Sequence, residues 1–85
     1  KKSLLDLTKM LATELGPKIR VNSVSPGALD TEQKYDHKIL EERKNKSPLS
    51  LTPTKTALID TIMFLNNSPE ITGQNIFLDG GENLA

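Results

Sequence analysis

The sequence contains no cysteine and no tryptophan, a single histidine, and only one tyrosine and two phenylalanines. Without cysteine there is no disulfide to staple a small fold and no thiolate to hold a metal. One histidine, His37, makes a zinc site built from protein ligands alone a poor expectation, and none is assigned. With aromatics at 4%, any core must be aliphatic. Charge of one sign is also missing: 11 basic residues balance 11 acidic ones, so nothing favours nucleic acid or another polyanion. No apolar run approaches membrane-spanning length; Ile62 to Leu65 is typical of the longest. The chain opens on Lys1-Lys2 rather than an apolar leader, and a cytoplasmic, reducing setting fits. A glycine-rich phosphate loop of the G-x-G-x-x-G or G-x-x-x-G-x-G kind is absent.

What remains is ordinary globular composition, 35% hydrophobic and 26% charged over 85 residues. A chain of this length buries a smaller fraction of its surface than a large domain does, so its stability as an isolated unit is marginal. There are no repeats, low-complexity tracts or linkers, and no internal domain boundary.

The organising stretch is Ile19 to Thr31. Ile19, Val21 and Val24 supply β-branched bulk and predict a strand over residues 19–25. Pro26 removes a donor, so the ladder is expected to stop there. Gly27 lets the backbone turn sharply or lets a ligand approach. In open parallel sheets ligands sit at the carboxyl ends of strands, which makes Pro26-Gly27 and the hydroxyl of Thr31 a candidate rim. On these residues alone a plain turn is the commoner reading of Pro-Gly.

Before this strand, Leu4, Leu7, Leu11 and Leu15 recur three or four apart and predict a helix over residues 2–15 that Gly16-Pro17 ends. Lys1 and Lys2 carry the wrong sign for a helix start, so the helix is expected to begin upstream. Residues 32–46 are charged, with Tyr35, Ile39 and Leu40 as the only apolar anchors and Glu42 and Lys46 spaced for an ion pair. They predict a short surface helix with little to bury. Residues 54–65 form the best helix, striped by Leu58, Ile59, Ile62, Met63 and Leu65 and capped by Thr52 or Thr54. A last strand runs from Asn75 to Asp79, its apolar run Ile76 to Leu78 suiting a strand covered on both faces. Asp79 before Gly80-Gly81 reads as a turn former.

Arg20, Val21, Asn22, Val24, Pro26, Gly27, Leu29 and Thr31 together match R-V-N-x-[IV]-x-P-G-x-[IVL]-x-T. This pattern resembles the segment after the active-site helix in short-chain dehydrogenases/reductases. The resemblance extends on both sides. Leu4, Leu7, Thr8, Leu11, Ala12, Glu14 and Leu15 fit that family's A-A-L-x-x-L-T-x-x-L-A-x-E-L without a gap. Pro48, Leu49, Leu58, Ile62, Phe64 and Leu65 fit its next helix, with departures at Ser50, Leu51 and Lys55. "ITGQNIFLDGG" is similar to its final strand.

The resemblance implies the C-terminal part of a doubly wound α/β sheet, the Rossmann class, cut from a domain on the order of 250 residues. It places Lys1 on the lysine of the family's Y-x-x-x-K; the tyrosine would lie four residues earlier, and the family's catalytic serine is absent too. The implied parent is an oxidoreductase that uses NAD or NADP and moves hydride to or from a carbonyl or alcohol. In it Lys1 would bind the cofactor ribose and act on the tyrosine. Pro26 and Gly27 would pack near the nicotinamide, and the backbone of Leu29 with the hydroxyl of Thr31 would hold its carboxamide. Residues 32–46 would form the substrate lid. The last helix and strand would join subunits into a homodimer or homotetramer, and the piece alone would be inactive. A pterin-type reductase of the same family, a non-catalytic relative kept for binding or assembly, and a small independent binding module are the alternative readings.

Overall fold

The computed structural model describes residues 2–29 and 37–84. Two parallel strands, β1 (Ser23–Pro26) and β2 (Asn75–Leu78), lie side by side, with Ser23 opposite Asn75 and Pro26 opposite Leu78. Helix α1 (Lys2–Leu15) precedes β1; α2 (His37–Lys46) and α3 (Lys55–Asn66) form the crossover; a short 3-10 turn, Glu82–Leu84, follows β2. Parallel neighbours require such a crossover, which is the unit of an α/β sheet. The expected fold class is therefore the observed one.

Side chains alternate across β1 and assign the helices to opposite faces. Ser23 and Ser25 face α1, where Thr8 Oγ1 lies 3.1 Å from Ser23 Oγ. Val24 and Pro26 face α3 and share a groove with Leu58, Ile62 and Leu65.

Strand β1 is shorter than its β-branched residues predict, and it is shifted: residues 19–22 are not strand. A side chain and the backbone of the turn before β2 take over there. The peptide N–H of Val21 donates to Thr72 Oγ1 at 3.0 Å, and Val21 O accepts from Gly73 N at 2.7 Å. Nor does the ladder stop at Pro26, because Gly27 N donates to Leu78 O at 3.1 Å. Ser23 and Gly27 both aim their N–H at β2. By alternation the donor that Pro26 lacks would have faced the open edge, so the ring costs this ladder nothing.

Thr54 caps α3: with φ −95° and ψ 160°, its hydroxyl accepts from Ala57 N at 3.1 Å. Within α2, among the described residues, the ion pair is Glu41–Lys44 at 3.7 Å and not the expected Glu42–Lys46.

The leucine face of α1 is not what packs on the sheet. Thr8 and Ala12 are buried, whereas Leu4, Leu7 and Leu15 are exposed. Small residues let helix and strand approach closely, and two strands are too narrow to cover the broader leucine stripe. In α3 only Leu65 is buried, while Ile59, Ile62, Met63 and Phe64 stand about half exposed. Strand β2 is half-buried along its length rather than covered on both faces.

Candidate functional site

Two sequence motifs far apart in the chain form one polar clamp. Arg20 Nη1 donates to the carbonyls of Leu65 (2.8 Å) and Ser68 (2.9 Å), and its Nη2 donates to Asn66 O (2.9 Å). These carbonyls close the last turn of α3, where a cation also meets the negative end of the helix dipole. Asn22 Nδ2 donates to Ile71 O at 2.9 Å while its Oδ1 accepts from Gln74 N at 3.0 Å. The Arg-Val-Asn run thus ties the end of α3 and the Ile-Thr-Gly-Gln turn to the start of β1, setting the register of β2. The clamp was not read from the sequence. Its only local signal is two polar side chains, at positions 20 and 22, alternating with apolar ones.

Charge-assisted bonds of this kind contribute about 1.5–3 kcal/mol singly and do not add, so losing the whole fork costs roughly 3 kcal/mol. Arg20→Met in the intact protein is expected to lower Tm by about 6–12 °C for a domain of the size the resemblance implies. Arg20→Lys should recover little, since an ammonium cannot span three carbonyls as a planar fork does. A thermal melt of Arg20→Lys at the wild-type Tm would show that the fork is not the anchor.

The clamp aims the carboxyl end of β1. There Pro26 ends the strand, Gly27 follows, and Ala28 is buried at 1% exposure. Leu29 is half-buried. Among the described residues, the peptide groups of Ala28 and Leu29 find no hydrogen-bond partner. Pro26, Gly27 and Leu29 lie at the carboxyl end of β1. Lys1 and Thr31, the other expected site residues, lie outside the described residues, as do residues 32–36 of the expected lid. Residues 37–46 of that stretch form α2.

Behind the rim stands the C-terminal turn. Asp79 is buried, and its two carboxylate oxygens accept from Gly81 N (2.9 Å) and Asn83 N (3.0 Å), a turn former as its sequence context predicts. Gly80 and Gly81 both take positive φ, +65° and +90°, which other residues rarely adopt. A Cβ on Gly27 would lie 3.0 Å from Asp79 Cβ and 3.2 Å from Glu82 Oε1, so glycine is needed there for close approach of the tail.

Under α1 runs a polar seam. Ser23 and Ser25 hydroxyls donate to Asn75 Oδ1 at 2.7 and 3.0 Å, and the buried Asn75 Nδ2 has no partner among the described residues. On the opposite face a groove of about 480 Å³ follows β1 and α3. It includes Pro26 but neither Gly27 nor Leu29, so this groove is not the expected rim. Among the described residues no helix is long and apolar enough to cross a membrane.

Comparison with known proteins agrees with this geometry. The family model described as Enoyl-(Acyl carrier protein) reductase matches residues 1–83. Dihydromonapterin reductase of Escherichia coli strain K12 is 31% identical over 84 residues, which cover 99% of this chain and 35% of the relative. Among solved structures, FolM alternative dihydrofolate reductase 1 from Brucella canis, complexed with NADP, superposes with a TM-score of 0.86 at 35% identity. That match covers 100% of this chain and 33% of the other. A small-chain dehydrogenase in complex with NADPH matches with a TM-score of 0.84 at 28% identity, over 99% of this chain and 41% of the other. The chain spans about a third of the length of the curated relatives it matches. With its strand-end Pro-Gly, the fold around it and a family match along nearly its whole length, this chain belongs to the short-chain dehydrogenase/reductase family.

Proposed function

We propose that this chain is the C-terminal third of an NADP-dependent reductase, in which it supplies the wall against the nicotinamide. The observation that carries the reading is the end of β1, where Leu29 has a peptide N–H and C=O without a partner among the described residues. A carboxamide offers one acceptor and two donors, so this donor–acceptor set fits it. The NADP- and NADPH-bound relatives support NADP over NAD.

When bound, the cofactor supplies a hydride to a carbonyl or a carbonyl-like carbon. This chain's own residues bind and orient. Pro26 and Gly27 form a rigid wall that limits how the ring can sit, and Leu29 with Thr31 fixes which ring face is turned to substrate. Lys1 holds the ribose hydroxyls and, as a cation, favours the ionised form of the tyrosine that the family pattern puts one helical turn upstream. That tyrosine is the proton donor or acceptor toward substrate. Assembly as a homodimer or homotetramer through α3 and β2 belongs to the same proposal, supported by the exposed Ile59, Met63 and Phe64.

A pterin substrate is the second reading. It is favoured by dihydromonapterin reductase and the FolM proteins among the relatives. NADPH oxidation by the intact protein, measured with a dihydropterin and with a simple ketone, separates the two. Oxidation with neither, in a protein that binds NADPH, would favour a non-catalytic relative instead.

Thr31→Val removes a hydroxyl at nearly constant volume. A lost neutral hydrogen bond amounts to about 0.5–1.5 kcal/mol, so the Kd for NADPH should rise roughly two- to tenfold with Tm unchanged. Fluorescence titration of the variant checks this, and an unaltered Kd would remove Thr31 from the cofactor site.

A further inference from the structure

We propose that Arg43 and Glu82 are positioning residues: their ion pair braces α2 against the end of β1 through the C-terminal turn, and so sets the substrate side of the site. This rests on the reductase reading for its consequence in catalysis; the brace itself rests on geometry alone.

Three elements meet at Glu82. Its carboxylate accepts from Arg43 Nε at 2.6 Å and from Arg43 Nη2 at 3.1 Å, a two-pronged pair that joins α2 to the tail. The same carboxylate stands against Gly27, with Oε1 3.2 Å from where a Cβ there would be. Glu82 itself is held in place, since its N–H donates to Asp79 O at 3.2 Å in the turn that Asp79 organises.

A second tie sits one turn further along. Ser47, buried just past the end of α2, donates through Oγ to Gly80 O at 2.9 Å, and Leu49 N donates to the same carbonyl at 3.1 Å. Helix α2 is thus fastened to the tail at two heights, and the tail is packed on the Pro26-Gly27 turn.

Apolar packing does little to hold helix α2 in place. None of its residues is buried, and its composition is mostly charged. With so little apolar area against the body of the fold, its position is set by directional bonds rather than by packing. The Arg43 and Glu82 side chains are 33% and 21% exposed, which shields the pair from much of the solvent screening that weakens surface ion pairs. A forked guanidinium–carboxylate contact also fixes orientation as well as distance. The tail therefore does more than end the chain. It transmits the position of the β1 turn to α2.

Loosening the brace should lower the fraction of molecules in which α2 is seated, and apparent affinity falls by that fraction. In the intact protein, Glu82→Gln keeps the shape and removes the charge. The expected result is a rise in substrate KM of about three- to tenfold with kcat altered less than about twofold. Tryptic cleavage at Lys38, Arg43, Lys44 or Lys46 should be faster, and bound NADPH should protect less well. The charge-reversed double variant Arg43→Glu/Glu82→Arg should recover both KM and protease resistance toward wild type. Wild-type cleavage rates in Glu82→Gln, or a double variant no better than the single, would overturn the brace. Wild-type protein that fails to bind NADPH would sink the reductase reading alone, and the cleavage rates would still decide the brace.

Discussion

Prepared by itself, the 85-residue chain is expected to lose its helical circular dichroism gradually on heating, with no cooperative transition. Its buried apolar residues, among those described, are Ala12, Ala28, Pro53 and Leu65, and no large side chain is fully buried. Ordering each residue costs about 1–2 kcal/mol of backbone entropy, and so few small-to-medium side chains cannot offset that over the whole chain. The shape agrees. The radius of gyration is 14.4 Å, with principal extents of 44 × 23 × 22 Å. A compact domain of this length would have a radius of roughly 12 Å. Leu4, Leu7 and Met10 on α1 and Ile59, Met63 and Phe64 on α3 stand exposed, and two strands cannot cover both helices. Urea unfolding should likewise be broad and shallow. A sharp two-state melt, independent of concentration and accompanied by dispersed amide resonances, would refute this expectation and revive the reading of a small independent module.

Lys1→Met in the intact protein is expected to reduce kcat by about a hundredfold or more, the scale on which positioned acid–base groups act. The loss should fall mainly on kcat, with a smaller rise in KM for NADPH from the missing ribose contact. The sign of the pH effect follows from charge. A cation beside a tyrosine favours its ionised form and lowers its pKa; removing the cation raises it. The base-side limb of the pH–rate profile should therefore move to higher pH in the variant. Initial rates against pH, measured for both proteins with one substrate that turns over, check all three parts. Near wild-type turnover would mean that Lys1 is an ordinary solvated lysine and that the register joining α1 to the family motif is wrong.

Legibility varied along the chain for physical reasons. Helix α1 was predicted over residues 2–15 and runs from Lys2 to Leu15, because apolar spacing and the Gly16-Pro17 stop are both local signals. Helix α3 likewise falls within a residue of its expected bounds, and Thr54 caps it through a contact three residues away. Strand β1 was misjudged at both ends. Ile19 and Val21 have strand-like side chains, but a strand exists only where a partner pairs with it, and β2 reaches no further back than Ser23. Arg20 and Asn22 of the Arg-Val-Asn motif show locally only as polar positions alternating with apolar ones. Their partners lie 45 to 52 residues downstream, beyond any local window.

The sequence by itself determined the element types, the turn at Asp79-Gly80-Gly81, the strand-end Pro26-Gly27 and, through resemblance, the family. Each of these depends on residues within a turn or two of one another, where spacing is geometry. Tertiary structure decided which faces are used: Thr8 and Ala12 on α1 rather than its leucines, and Leu65 alone on α3. It also brought Arg20 to the end of α3 and Glu82 between Arg43 and Gly27. Those choices follow from the crossover between parallel strands. It folds the tail of the chain back beside β1, and no periodicity in the sequence encodes which distant side chains then meet.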